Sequence, residues 1–183
     1  MLLSEYAFQA YSFYSVSVRL NFQNKTKVII HDIRFKGKRK INWKEVEMFL
    51  KEYVGNCYEI AENAEKIYIG TDFPDEFTGS KDTKMLRGGI AKAKANAAVG
   101  IPELIQICER GEYTDNIKEK HNSDAKYGWY RYNARFALPV YKNDCEIERY
   151  NFYSVRMLIR HSRDGKKYLY DLIRIKKEPS KPL

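Results

Sequence analysis

Cysteine, histidine and the glycine-rich loops that hold phosphates are scarce or missing in this 183-residue chain, and each scarcity removes a class of chemistry. The three cysteines, Cys57, Cys108 and Cys145, lie far apart, are odd in number and form no CxxC pair. They speak against a disulfide-stapled scaffold and a zinc-finger ligand set, and read as reduced thiols of a cytoplasmic protein. His31, His121 and His161 are the only histidines, too few for a multi-histidine metal centre. The chain contains no GxxxxGK[ST] or GxGxxG phosphate loop, no GxSxG elbow and no HExxH helix. Asp72, Asp75, Glu76 and Asp82 cluster in TDFPDEFTGSKD, but their spacing matches no EF-hand and the glycine such a loop needs is missing. No metal and no cofactor are therefore expected. No run approaches the roughly 20 apolar residues that cross a bilayer, and MLLSEYAFQAYSFY lacks the basic start of a secretion signal. The expectation is a cytoplasmic protein with no membrane partner.

What the chain does contain is tyrosine and positive charge. Fifteen tyrosines, 44% apolar residues and 31% charged residues describe a folded globular protein with half-exposed aromatic faces. The net charge of +9 is unevenly placed. Residues 1–55 carry 10 basic and 5 acidic side chains, 56–116 carry 7 and 11, and 117–183 carry 16 and 8. Basic excess at both ends raises the local concentration of polyanions, so nucleic acid is the leading partner class.

The residue patterns predict an α+β fold: an N-terminal hairpin and helix, a central helix pair, and a C-terminal antiparallel sheet of three to four strands. Residues 14–22 alternate as a strand, and Asn24 and Lys25 turn the chain into a second strand over 27–35. The KGKRK cluster at 36–40 reads as a basic turn able to touch phosphates. Asn42 and Glu45 suggest a capping box before an amphipathic helix closed by Gly55. Two short strands, 57–60 and 66–70, flank an ENAE turn, and an acidic loop follows. An Ala-rich helix over 84–99, with a kink or close contact at Gly88 and Gly89, leads through Gly100 to a second helix opened by Pro102 and stopped by Gly111. The helix edge carries Lys84, Lys92 and Asn96. A polar linker, 112–126, leads to the sheet. Organisation follows as an N-terminal lobe, 1–65, a main unit, 66–178, and a tail, 179–183.

The stretch KHNSDAKYGWYRYNARFALPVY, residues 120–141, holds the most chemistry. Along its strand Tyr130, Tyr132, Ala134, Phe136, Leu138 and Val140 can face a core, while Trp129, Arg131, Asn133 and Arg135 face the other way. The later segments RYNFYSVRMLIRH and KKYLYDLIRIK form a hairpin around Arg163, Asp164 and Gly165. A three-residue loop with a glycine bulge sets Arg160 opposite Tyr168, Ile159 opposite Leu169, Leu158 opposite Tyr170 and Val155 opposite Ile173. RNA cleavage by 2′-hydroxyl attack suits this metal-free inventory, because it needs proton handlers near neutrality and cations for the phosphorane. Arg131, Arg135, Arg149 and Arg160 are the phosphate candidates, and Trp129, Tyr168 and Tyr170 the stacking surfaces.

The set KAKANAA, KH, GWYRY, FALPV, ERYN, IRH and YLYDLIRIKKE resembles small proteins encoded on prophages and conjugative elements of Firmicutes. That group is associated with the nuclease superfamily of barnase, EndoU, colicin tRNases and RelE, and the resemblance covers residues 66–178. It implies N-terminal helices on a four-stranded antiparallel sheet and a metal-independent RNase of toxin or effector type, with tRNA or mRNA as substrate and an immunity or antitoxin protein as partner. It carries over His121 as general acid or base. The second histidine of the EndoU linker is missing, leaving Lys120, Tyr130 or Tyr170 as the proton partner. Arg131 and Arg135 complete the expected centre, with Trp129, Arg149, Arg160, Tyr168, Tyr170, Lys92 and Lys94 as nucleic-acid contacts. Non-catalytic readings remain beside it: a nucleic-acid-binding module, or an accessory protein that binds another protein through its aromatic sheet.

Overall fold

The structure, a computed structural model, describes residues 15–20, 26–37, 40–121, 124–143 and 146–179. Strands β1 (Val16–Leu20) and β2 (Thr26–Ile30) pair antiparallel, as the alternation predicts, while the turn expected at Asn24 and Lys25 lies outside the described residues. So do Lys38 and Arg39 of the basic cluster, Cys145 and the end of the tail. Helix α1 (Trp43–Leu50) presents Val46 and Leu50 inward at helical spacing. The capping box forms only in part. Asn42 donates its amide to Glu45 Oε1 at 2.8 Å, and its side chain does not cap the helix backbone. Strands β3 (Cys57–Glu59) and β4 (Lys66–Ile69) flank the expected turn.

The acidic stretch is not a loop. It folds as α2 (Phe73–Gly79) and α3 (Lys81–Met85), because Pro74 opens the first helix and Ser80 caps the second by accepting from Thr83 N at 3.1 Å. The expected long Ala-rich helix is therefore broken, and α4 (Gly88–Ala97) starts afresh at Gly88 with φ +53°, a left-handed value that glycine tolerates. A single 3-10 turn over 98–100 leads into α5 (Ile101–Ile107). That helix stops earlier than expected. Glu109–Thr114 is strand β5, fully exposed, where the sequence reads as helix end and linker.

Strands β6 (Trp129–Tyr141), β7 (Ile147–His161) and β8 (Lys167–Lys177) form the antiparallel meander read from the sequence. They are the centre of a larger, mixed sheet of eight strands, not three or four, in the order β1-β2-β6-β7-β8-β4-β3. β2 joins β6 in parallel near Phe136, β4 joins β8 in parallel near Tyr168, and β5 pairs with the first half of β6. Non-local parallel pairings leave no mark in a local pattern, which is why β1 to β4 were legible as strands but not as members of this sheet.

One face of the sheet carries the core. Tyr132, Ala134, Phe136 and Leu138 of β6, Met157 and Ile159 of β7, and Leu169 and Leu172 of β8 are buried in a single cluster with Val46, Leu50, Phe73, Phe77, Ala95 and Leu104. Four of the expected inward residues of β6 thus line the core, with Tyr130 packed at its edge and Val140 only half-buried outside it. Alanines let α4 lie close to the sheet, and at Gly100 an added Cβ would sit 3.0 Å from Ile30 Cδ1. Within the first 65 residues, β2, β3 and α1 belong to the same sheet and core as the later elements.

The β7–β8 hairpin keeps its expected register from the three-residue loop, with Gly165 at φ +78°, through Arg160 opposite Tyr168 and Ile159 opposite Leu169. Beyond that a bulge at Tyr170 sets Leu158 opposite Asp171 and Arg156 opposite Ile173, and a second shift sets Ser154 opposite Lys176. Arg174, at φ +51°, occupies that second irregularity.

Candidate functional site

The start of β6, the end of β7, the start of β8 and the end of β4 meet at one end of the sheet. There β4 runs through Gly70 into Asp72, and the 3-10 turn Glu119–His121 brings His121 alongside. The loop after that turn is tied to the hairpin: Tyr127 N donates to His161 O at 3.0 Å, and Ser162 Oγ donates to Asp124 O at 2.6 Å. Gly128, at φ +87°, then carries the chain into β6, in space where a Cβ would meet Thr114 O at 2.6 Å.

Three rings converge here. His121 and Trp129 have centroids 5.3 Å apart, Trp129 and Tyr170 5.0 Å, and His121 and Tyr170 6.2 Å, all edge to face. Arg160 is the cross-strand partner of Trp129, lies 5.0 Å over the ring of Tyr168, and donates through Nη2 to Asp72 Oδ1 at 3.0 Å. Its Nε is buried and has no acceptor among the described residues. Tyr68 packs on Tyr168 at 5.8 Å, and Tyr170 hydrogen-bonds to Glu76. A Cβ at Gly70 would stand 2.6 Å from Asp72 Oδ1, so a side chain there would displace the carboxylate that Arg160 holds.

Burial, reinforced by the charge of Lys120, lowers the pKa of His121 below 6.5, with Asp124 opposing. The imidazole is therefore neutral near pH 7 and able to accept a proton. Burial and then the Glu76 hydrogen bond raise the Tyr170 phenol, while Tyr168 is pushed up to about 12, first by its 2.7 Å hydrogen bond to Asp164. Both phenols stay protonated.

Of the residues singled out in the sequence, His121, Trp129, Arg160, Tyr168 and Tyr170 come together, with Lys120 exposed beside them. The others do not. Arg131 and Arg135 share the open face of β6, as expected, but Arg131 donates to Thr114 Oγ1 at 2.9 Å and Arg135 pairs with Glu178 at 3.0 Å. Tyr130 turns to the opposite side, where it packs on Tyr113 at 5.0 Å and under the Arg110 and Lys167 cations. His161 packs there too, 6.0 Å from Tyr130. Arg149 pairs with Glu148 opposite Val140, about 35 Å of strand from Trp129 at the usual rise per residue. Lys92 lines a groove with Asp32, Pro139 and Tyr141, remote from His121.

Lys94 is a correction. It is fully buried and cannot touch nucleic acid, because its Nζ donates to Asp171 Oδ1 and Thr83 Oγ1, both at 2.6 Å. Asn96, expected on the basic edge, is likewise buried and clasps the backbone of Phe35. Burial lowers the Lys94 pKa and raises Asp171 to about 6 even though the two are paired. Sequence reasoning missed Asp171, and weighed Asp72 and Glu76 as cation ligands rather than as partners of Arg160 and Tyr170. The one local signal was Asp171 itself, a lone carboxylate inside the apolar run YLYDLI.

Among the described residues no group of histidine, cysteine and carboxylate side chains could hold a metal ion, and no helix is long and apolar enough to cross a membrane. Compared with protein-family models, curated protein sequences and solved structures, the chain finds no match in any of the three.

Proposed function

We propose that the chain is a metal-independent ribonuclease acting by acid–base attack of the ribose 2′-hydroxyl, with its centre at His121, Trp129, Arg160 and Tyr170. The observation that carries this reading is the convergence at one sheet end of a neutral imidazole, a guanidinium with an unused buried donor, and stacking rings. His121 takes the 2′ proton, the positive charge of the Arg160 guanidinium stabilises the charge gathering on the phosphorane, and Trp129 stacks a base. Among the proton partners the sequence offers, Tyr170 lies in the cluster and remains protonated, so it is the donor for the leaving 5′ oxygen. Such an activity suits a toxin or effector of a mobile element, with an immunity protein as its counterpart.

The test is cleavage of bulk RNA and tRNA by purified protein without added metal. His121→Ala is expected to lower the rate about 10²-fold or more while RNA binding persists. The low-pH limb should rise as His121 loses its proton, with a midpoint below 6.5. Wild-type protein that cleaves neither RNA ends the reading. A non-catalytic binding module is the second reading, favoured by the ion pairs that Arg135, Arg156 and Arg160 make with Glu178, Glu112 and Asp72. RNA binding with no turnover selects it.

A further inference from the structure

A second feature lies along β6 and β7, several residues from Arg160, with Thr26 of β2 and Ile107 of α5 at its edge. A trough of about 410 Å³ is lined by Arg135, Arg156, Arg174 and Lys176, with Asn133 and Ser154 between them. Glu109 is the one carboxylate in its wall. Arg135 and Arg156 are held by Glu178 and Glu112, whereas Arg174 and Lys176 are exposed and make no ion pair among the described residues. Arg174 adopts a left-handed backbone at the β8 irregularity opposite Val155, a conformation that a side chain with a Cβ takes only at a cost. Strained backbone in the middle of a paired strand, aiming a cation into a cationic trough, is the kind of feature that binding sites retain.

We propose that this trough is a phosphate subsite for single-stranded RNA, on a track that runs along β7 to the His121 cluster. The proposal rests on the reading that the chain takes RNA and adds where the strand lies and how long it must be. Ser154 in the trough and Arg160 at the cluster are six residues apart on one strand, about 20 Å at the usual rise, a span of several nucleotides. Guanidinium forks at both ends suit phosphate oxygens. Trp129 and Tyr168 give the far end the aromatic surfaces on which unpaired bases stack, which an acidic peptide would not need. A fixed sheet supplies both ends without the cost of ordering a loop.

Fluorescence anisotropy with a labelled octanucleotide and a labelled dinucleotide of single-stranded RNA tests this. The variant R174N/K176Q removes both free cations, and asparagine tolerates the left-handed backbone at 174. It is expected to bind the octanucleotide about tenfold more weakly than wild type, and with a salt slope shallower by about 1.4, the loss for two phosphates on a single strand. Dinucleotide binding should not change. The control K81Q/K84Q, exposed on α3, should bind both as wild type does. Unchanged octanucleotide binding in R174N/K176Q overturns the subsite, as does polyglutamate competing as well as polyuridylate. Wild-type cleavage together with unchanged binding in the variant sinks the trough alone. Trough-dependent binding without any cleavage sinks the catalytic reading alone.

Discussion

Lys94 and Asp171 join the helical layer to the sheet through an ion pair with side chains 0% and 2% exposed. Removing two charges from water costs several kcal/mol each, and the shifts of both groups toward neutrality reflect that cost. The remaining hydrogen-bonding capacity is used locally. Ser80 Oγ donates to Asp171 Oδ2 at 2.8 Å, and Leu172 N donates to Oδ1 at 2.7 Å. Asp171 directly follows Tyr170, so the pair also anchors the bulge that delivers the phenol to His121 and Trp129. Lys94→Ala leaves a carboxylate buried without its cation and should cost about 3–5 kcal/mol in chemical denaturation. The double substitution K94M/D171L should recover most of that loss; a single-variant cost below about 1 kcal/mol would mean that Asp171 reaches water. In the sequence Lys94 looks like one more charge on the edge of an Ala-rich helix, because a local pattern cannot say that a carboxylate from a strand 77 residues later will meet it.

At the scale of elements, turns and irregularities set the geometry. The β7–β8 hairpin was legible down to individual pairs near its loop, because Ser-Arg-Asp-Gly specifies the turn and the turn specifies the register. Past Ile159 the register depends on the two shifts in β8, which no turn residue announces. Another turn carries strain that can be removed. Ala64, in the exposed link between β3 and β4, sits at φ +58°, where a Cβ crowds the carbonyl. Ala64→Gly relieves that crowding, although the more flexible unfolded chain takes back part of the gain. The net expectation is about 0.5–1 kcal/mol of added stability, roughly 2 °C in Tm by calorimetry. A lower Tm would mean that the left-handed turn is not strained.

Across the whole molecule, all eight strands belong to one sheet and the buried side chains form one cluster that includes Val28, Val46 and Leu50 as well as Met157 and Leu172. A chain with one core should unfold in one step. Trp43 on α1 and Trp129 on β6 report from the two ends of the sequence. In W43F and in W129F, fluorescence and far-ultraviolet circular dichroism should give coincident denaturation midpoints, whereas a separated α1 midpoint would mark an independently unfolding lobe. The uneven charge has a consequence at this scale too. On the open face Arg135, Arg156 and Arg160 are paired with Glu178, Glu112 and Asp72, so net charge overstates how much free positive surface the sheet presents.

The sequence by itself determined the α+β class, the meander of β6, β7 and β8, and the inward face of β6, because alternation with a period of two reports directly which side chains leave water. It also pointed to His121, Trp129, Arg160, Tyr168 and Tyr170, though not to their sharing one sheet end apart from Arg135. Only the tertiary structure decided that β4 and β2 join in parallel, that β5 is a strand, that Lys94 is buried, and that Asp72 and Glu76 stand beside the arginine and tyrosine of the site. Those outcomes depend on partners far along the chain. A local pattern records how a residue faces its core; it does not record which distant residue faces it.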